Sequence, residues 1–203
     1  SDIFSDVRYK REAGETQVLK NHHLDRLRKG GIGGACFVIW ADTYNGHAPK
    51  DEMEAIVKGI KGEMAETKEF VLIHNVEELK AAEAAGKFAI LLGIEGLAGI
   101  GEDLSKIDEL YDLGARHAML TWNEENALAT GVKGDPNRGV TELGKQAIKK
   151  LQEKKMILDV SHINEKSFWD VIDLATGPIL ASHSNAKALA SAARNLTDDQ
   201  LRA

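Results

Sequence analysis

The stretch that decides the fold is Phe88-Ala89-Ile90-Leu91-Leu92-Gly93-Ile94-Glu95-Gly96. Seven residues from Phe88 to Ile94 are apolar or glycine without polar alternation, and the run then stops on a carboxylate. An uninterrupted apolar run of this length reads as a strand buried on both faces, as parallel strands are. The same design recurs to either side of it. Ala35–Ala41 is a second run, and His117–Trp122 a third. Met156–Val160 runs into Ser161-His162, and Pro178–Ala181 runs into Ser182-His183-Ser184. A shorter run, Phe70–Ile73, reads either as a strand or as an extended lead-in to a helix.

Helical periodicity fills the gaps between the runs. Met53, Ile56, Val57, Ile60 and Met64 share one helical face, as do Leu104, Ile107, Leu110 and Tyr111, and Leu143, Ala147, Ile148 and Leu151. Asn164 followed by Glu165 is an N-cap with acidic charge in the first turn, opening a helix to about Leu174. Gly86, Gly114 and Gly177 stand where C-cap glycines fall, between a helix and the next strand. Strand-helix alternation of this kind predicts an α/β class with a parallel sheet, in one domain over residues 1–203. Lys29-Gly30-Gly31-Ile32-Gly33-Gly34 is rich in glycine, but it precedes a strand instead of joining strand to helix. It therefore fails the context of a dinucleotide-binding loop and reads as a turn into the sheet.

Polar residues gather at strand C-termini, which favours a (β/α)₈ barrel of the TIM type, where sites occupy that end. Five or six barrel strands are legible. Such a barrel has eight strands and typically about 250 residues, so the reading expects this 203-residue chain to be part of a longer one.

Glu95, His162 and His183 each terminate a buried strand. In a parallel barrel the three would share one mouth, and a carboxylate with two imidazoles is a ligand set for zinc, manganese or iron. The other histidines, His22, His23, His47, His74 and His117, read as structural or exposed. Glu124 and Glu125 read as loop carboxylates, and Asp159 and Ser161 as neighbours able to support His162.

Composition narrows the function classes. Hydrophobic residues make up 43% and charged residues 29%, with a net charge of −6. An acidic chain is a poor match for nucleic acid, whose phosphates need a basic face. The single cysteine, Cys36, forms no intrachain disulfide and reads as a small buried hydrophobe. No apolar stretch reaches the roughly 18 residues of a membrane span, and the expected compartment is the cytoplasm.

Gly93-Ile94-Glu95-Gly96, Asp159-Val160-Ser161-His162, Ala181-Ser182-His183-Ser184-Asn185-Ala186 and Arg194-Asn195-Leu196-Thr197-Asp198 occur in this order. Together they resemble the membrane, or renal, dipeptidase family of zinc peptidases, whose fold is a (β/α)₈ barrel. The resemblance covers essentially the whole chain. It implies two zinc ions bridged by Glu95, with His162 and His183 on one of them. It implies Asp2 as a ligand of the other, since Ser1-Asp2 matches the end of the family's His-x-Asp motif. It implies Arg194 as the group that binds the substrate carboxylate of a small dipeptide, with Trp122 and Asn123 at the substrate, and a homodimer as a candidate assembly.

Three departures accompany the resemblance. The histidine of His-x-Asp is not in this sequence. Trp122 stands where many relatives carry a substrate-binding histidine. The family's last-strand aspartate lies beyond Ala203. Expected activity is therefore hydrolysis of dipeptides by a metal-activated water, with Glu95 at its centre. The alternatives are another metal amidohydrolase, acting on cyclic amides or β-lactams, and a metal-free barrel module without catalysis.

Overall fold

A computed structural model describes residues 1–41 and 46–203. The first helix, α1 (Ile3–Glu12), buries Phe4 and Val7 against the sheet, with the Phe4 ring 5.6 Å from Phe37. A π-helical turn over Leu19–Leu24 runs directly into α2 (Asp25–Lys29). The glycine-rich turn follows, with Gly31 at φ +69, and delivers the chain into strand β1 (Gly34–Ile39). A Cβ on Gly34 would sit 2.9 Å from the Ala89 carbonyl oxygen, so glycine lets β1 close on its neighbour.

The remaining elements alternate strand and helix. They are α3 (Pro49–Glu66), β2 (Phe70–Leu72), α4 (Val76–Ala84), β3 (Phe88–Glu95), α5 (Ser105–Leu113), β4 (Ala115–Met119), α6 (Glu142–Glu153), β5 (Ile157–Asp159), α7 (Glu165–Leu174), β6 (Ile179–Leu180) and α8 (Asp198–Arg202), with α3, α5 and α6 on the helical stripes read from the sequence. Local chemistry sets the helix starts. Pro49 opens α3, and the side chains of Asn75, Thr141, Asn164 and Thr197 accept the N-terminal amides of α4, α6, α7 and α8. Gly86 (φ +63) and Gly114 (φ +122) end their helices in backbone conformations that suit glycine. Gly177 does not: α7 ends at Leu174, where Ala175 turns extended.

All strand pairs are parallel, in the order β1-β3-β4-β5-β6. The run at Phe70 is a true strand, with Phe70, Val71 and Leu72 opposite Phe88, Ala89 and Ile90. β1 takes the Ala89 amide through Gly33, while Phe88 donates to Glu69 beside β2. β2 therefore flanks the first half of β3 on the edge whose second half carries β4. The sheet is an open arc of a (β/α)₈ barrel with six strands. Helices cover its convex face, where Ile56, Ile60, Ile107, Ile148, Leu151 and Phe168 pack on Ile90, Leu92 and Ile94 in one core. Nothing in that arrangement is unusual for such a layer; its consequence is that the C-terminal ends of β3, β5 and β6 meet on the concave side. Among the described residues, no helix is long and apolar enough to cross a membrane.

Candidate metal centre

Glu95 closes β3, His162 follows β5 by three residues and His183 follows β6 by three. Their ligand atoms converge. Glu95 Oε1 lies 3.1 Å from His162 Nε2 and 3.4 Å from His183 Nε2, and the two ring nitrogens are 2.8 Å apart. Among the described residues this is the one trio of histidine, cysteine or acidic side chains whose ligand atoms gather within 4.8 Å.

Each ring is held from behind. His162 Nδ1 pairs with Asn123 Oδ1 at 3.0 Å, and His183 Nδ1 with Ser182 Oγ at 2.7 Å. The amide oxygen of Asn123 can only accept, so Nδ1 of His162 carries the proton and Nε2 presents a lone pair. His162 is buried, and its backbone is left-handed at φ +71, a strained conformation for a side chain of this size. It is pinned there by the Val132 amide, which donates to the His162 carbonyl at 2.9 Å. Trp122 stands beside it, ring centroids 6.0 Å apart, and Trp40 packs edge-on against Trp122 at 5.1 Å.

Glycines make the approach possible. Gly96 turns the chain out of β3 at φ +90, and a Cβ there would lie 2.8 Å from the Trp122 amide. On Gly131 a Cβ would fall 2.2 Å from the Trp122 carbonyl oxygen. Residues 123–133 thus fold back as a tight ribbon, with the Lys133 amide on the Asn123 carbonyl at 2.7 Å and the Gly131 amide on that of Glu124 at 3.0 Å.

Electrostatics suit a cation. Burial pushes the Glu95 carboxyl upward, but the closeness of His162 and His183 more than offsets it and holds the group below the usual carboxylate range. Burial lowers His183 and keeps it neutral, helped by Arg194 and His162 and opposed by Glu95. An ionised carboxylate and neutral imidazoles are the forms that bind metal. A tetrahedral shell at the usual zinc distances has ligand–ligand edges of about 3.3 Å, and the edges here are 2.8–3.4 Å. Converging acceptor atoms of this type and spacing fit a divalent transition metal.

The other expected site residues take varied positions. Asp2 caps α1 and lines the same cleft of about 540 Å³ as Glu95, His183, Trp40 and Trp122, outside the tight trio. Ser1 lies alongside β1, its carbonyl accepting the Val38 amide at 2.9 Å. Arg194 reaches the cluster from the segment before α8, donating from Nη2 to the His183 carbonyl at 2.5 Å, while its Nε is buried without a partner among the described residues.

One expectation changes. Cys36 is half-buried on the cleft wall instead of packed in the core, because alternate residues of β1 face the concave side. His117 is structural: it is buried, and its Nε2 meets Asp159 Oδ2 at 2.7 Å. Period-two alternation was the available signal, since His117 in β4 and Asp159 in β5 both sit at inward positions. By contrast His22, His23 and His74 each pair with a surface carboxylate, Glu15, Asp6 and Glu78. Glu124 and Glu125 stay in the loop, exposed.

An open parallel barrel arc with one carboxylate and two imidazoles at its strand C-termini defines the class: a TIM-barrel-type protein with a candidate metal centre. The family model of membrane dipeptidase, peptidase family M19, matches residues 3–203, and the chain belongs to that family. An uncharacterized protein of Acinetobacter calcoaceticus is 37% identical over 143 residues, 68% of this chain and 45% of that protein. The solved metallopeptidase dipeptidase AC aligns at 25% identity with a TM-score of 0.86, covering 99% of this chain and 67% of its own. A Rhodobacter sphaeroides metallopeptidase, solved with a phosphinate mimic of the dipeptide L-Ala-D-Ala, shares the fold at 24% identity and a TM-score of 0.86, over 99% of this chain and 68% of its own. The chain spans about half the length of the curated relatives it matches.

Proposed function

We propose that the whole protein is a zinc dipeptidase in which Glu95, His162 and His183 hold the metal. The observation that carries this reading is the convergence of those three ligand atoms within 3.4 Å at the strand ends, in a chain of the M19 family. A bound divalent ion supplies Lewis acidity there, bringing the pKa of water toward neutrality and polarising a carbonyl. The residues do the rest. Asn123 fixes the tautomer of His162, and Ser182 orients the ring of His183. Glu95 contributes the negative charge and, with Asp2 across the cleft, is the candidate shell of a second ion. Trp40 and Trp122 wall the cleft and limit water beside the reacting centre.

Arg194 is the candidate for the substrate's terminal carboxylate. Its fork is partly committed to the His183 carbonyl, and its buried Nε awaits an acceptor. A bidentate grip on a free carboxylate at this distance from the ligands selects short peptides. The test is metal content by elemental analysis together with turnover of dipeptides of either C-terminal hand, against a dihydropyrimidine and a lactone. Dipeptide hydrolysis that disappears with the bound zinc in His162→Ala is the expected result. A His162→Ala protein with full zinc and full turnover refutes the assignment, and turnover confined to the cyclic substrates replaces dipeptidase with another amidohydrolase.

A further inference from the structure

Below the metal centre lies a buried pair that the proposed chemistry does not use. Asp159 is fully enclosed, and its two oxygens divide their work. Oδ1 accepts the Ser161 amide at 2.8 Å and the Ser182 amide at 3.3 Å. Each of those amides belongs to the residue just before a ligand histidine. Oδ2 is fixed by His117 Nε2 at 2.7 Å, from the neighbouring strand β4. Ser161 adds a direct strut, its Oγ accepting the His183 amide at 3.2 Å.

The two Ser-His turns therefore hang from one carboxylate oxygen, and that carboxylate is anchored by one imidazole. Rotation of Asp159 about its last bond would move both turns. The gap between His162 Nε2 and His183 Nε2 is a property of this hub as much as of either histidine. The His117 ring has room only because Gly93 lacks a side chain: a Cβ there would sit 2.6 Å from His117 Nδ1. A pair that served stability alone would need no contact with either ligand turn.

We propose that Asp159 and His117 are positioning residues that set the spacing of the two metal-binding histidines, and so the affinity and geometry of the metal. This rests on the reading of Glu95, His162 and His183 as the metal ligands. Outer-shell partners of ligating groups typically contribute about ten- to a hundredfold in metal affinity.

The experiment measures the zinc Kd of the chain by competition with a chromogenic chelator and the visible spectrum of its cobalt(II) form. Wild type is compared with Asp159→Asn, His117→Leu, His117→Gln and His162→Ala, with Glu63→Gln as a destabilised control far from the site. Asp159→Asn and His117→Leu should weaken zinc by about tenfold or more and shift the cobalt bands. His117→Gln, which restores an N–H toward Asp159, should recover most of the loss, and Glu63→Gln should leave Kd unchanged. If His117→Leu and Asp159→Asn keep the wild-type Kd and spectrum while only their Tm falls, the positioning role is overturned and the metal centre stands. If wild type and His162→Ala bind zinc equally, the metal reading itself fails and this inference falls with it. Should His117→Leu not fold, Asp159→Asn and His117→Gln decide the matter.

Discussion

Glu63→Gln is the substitution whose cost can be worked most directly from the structure. Glu63 is fully buried in α3 and accepts four hydrogen bonds. Oε1 takes the Leu19 amide and the Thr67 hydroxyl, both at 2.8 Å; Oε2 takes the Val18 amide at 3.0 Å and Arg11 Nη1 at 3.2 Å. The carboxylate thereby ends the loop after α1 and caps the turn at Leu19, whose first amides have no helical acceptor. Glutamine keeps one acceptor oxygen and turns the other into a donor. In either orientation of the amide, an NH₂ faces two groups that can also only donate, or one such group and a hydroxyl that must swing away. One buried backbone N–H is left unpaired, at about 1–3 kcal/mol. The charge on the Arg11 contact is also lost, partly offset because Arg11 keeps its paired bonds to Glu66 at 2.8 and 3.0 Å. The expected loss is about 2–4 kcal/mol, which for a chain of this size lowers Tm by roughly 10 °C. Urea and thermal unfolding measure it, and amide exchange at Val18 and Leu19 should accelerate before the rest of the chain. A loss below about 1 kcal/mol, or unchanged exchange at those two amides, refutes the account of Glu63 as the tie.

Two further outcomes follow from the strand ends. Burial raises the Asp159 carboxyl, but hydrogen bonds from His117, Ser182 and Ser161 outweigh it and hold the group well below the usual range. A depressed carboxyl contributes stability above the unfolded value, near pH 4, and loses it as pH falls toward the native value. Wild-type urea midpoints should therefore drop more steeply between about pH 5 and 3 than those of Asp159→Asn, and parallel curves would contradict the assignment. Gly96→Ala combines φ +90 with a Cβ 2.8 Å from the Trp122 amide; it should cost about 1–3 kcal/mol in thermal unfolding and displace Trp122, seen as a shifted tryptophan emission.

Much of this was legible in the chain because strand and helix obey different periods. The long apolar runs at Ala35 and Phe88 and the helical stripes on Met53–Met64 and Leu143–Leu151 could belong only to a strand-helix alternation, and the three polar residues closing Phe88–Ile94, Met156–Val160 and Pro178–Ala181 could meet only if those strands were parallel. Short elements were harder to read. β2 has three residues and β6 two, too few for a period to declare itself; they are strands because β3 and β5 offer open backbone edges. Glu63 is one of several charged residues in α3. Its burial depends on a loop forty-five residues earlier, which no local pattern reports. The pairing of His117 with Asp159 is hard to read for the same reason: their hydrogen bond crosses 42 residues, and strand register brings it about.

The ribbon at 123–133 joins recognition to metal geometry. Its first side chain, Asn123, sets the tautomer of His162, and its amide at Val132 holds the strained backbone of the same histidine. A left-handed residue of this kind costs about 1–3 kcal/mol and persists only where its surroundings over-determine it; here the Val132 amide, the Gly131–Ile163 bridge and the Asp159 bond to Ser161 do so. Trp122 sits at the root of the ribbon, its carbonyl against Gly131. A change at Trp122 cannot alter the cleft wall alone, because any shift of its backbone is passed through Gly131 and Val132 to His162. Substrate range and metal affinity should therefore vary together across substitutions at Trp122, whereas substitutions at Trp40, whose ring packs on that of Trp122, should alter the first and spare the second.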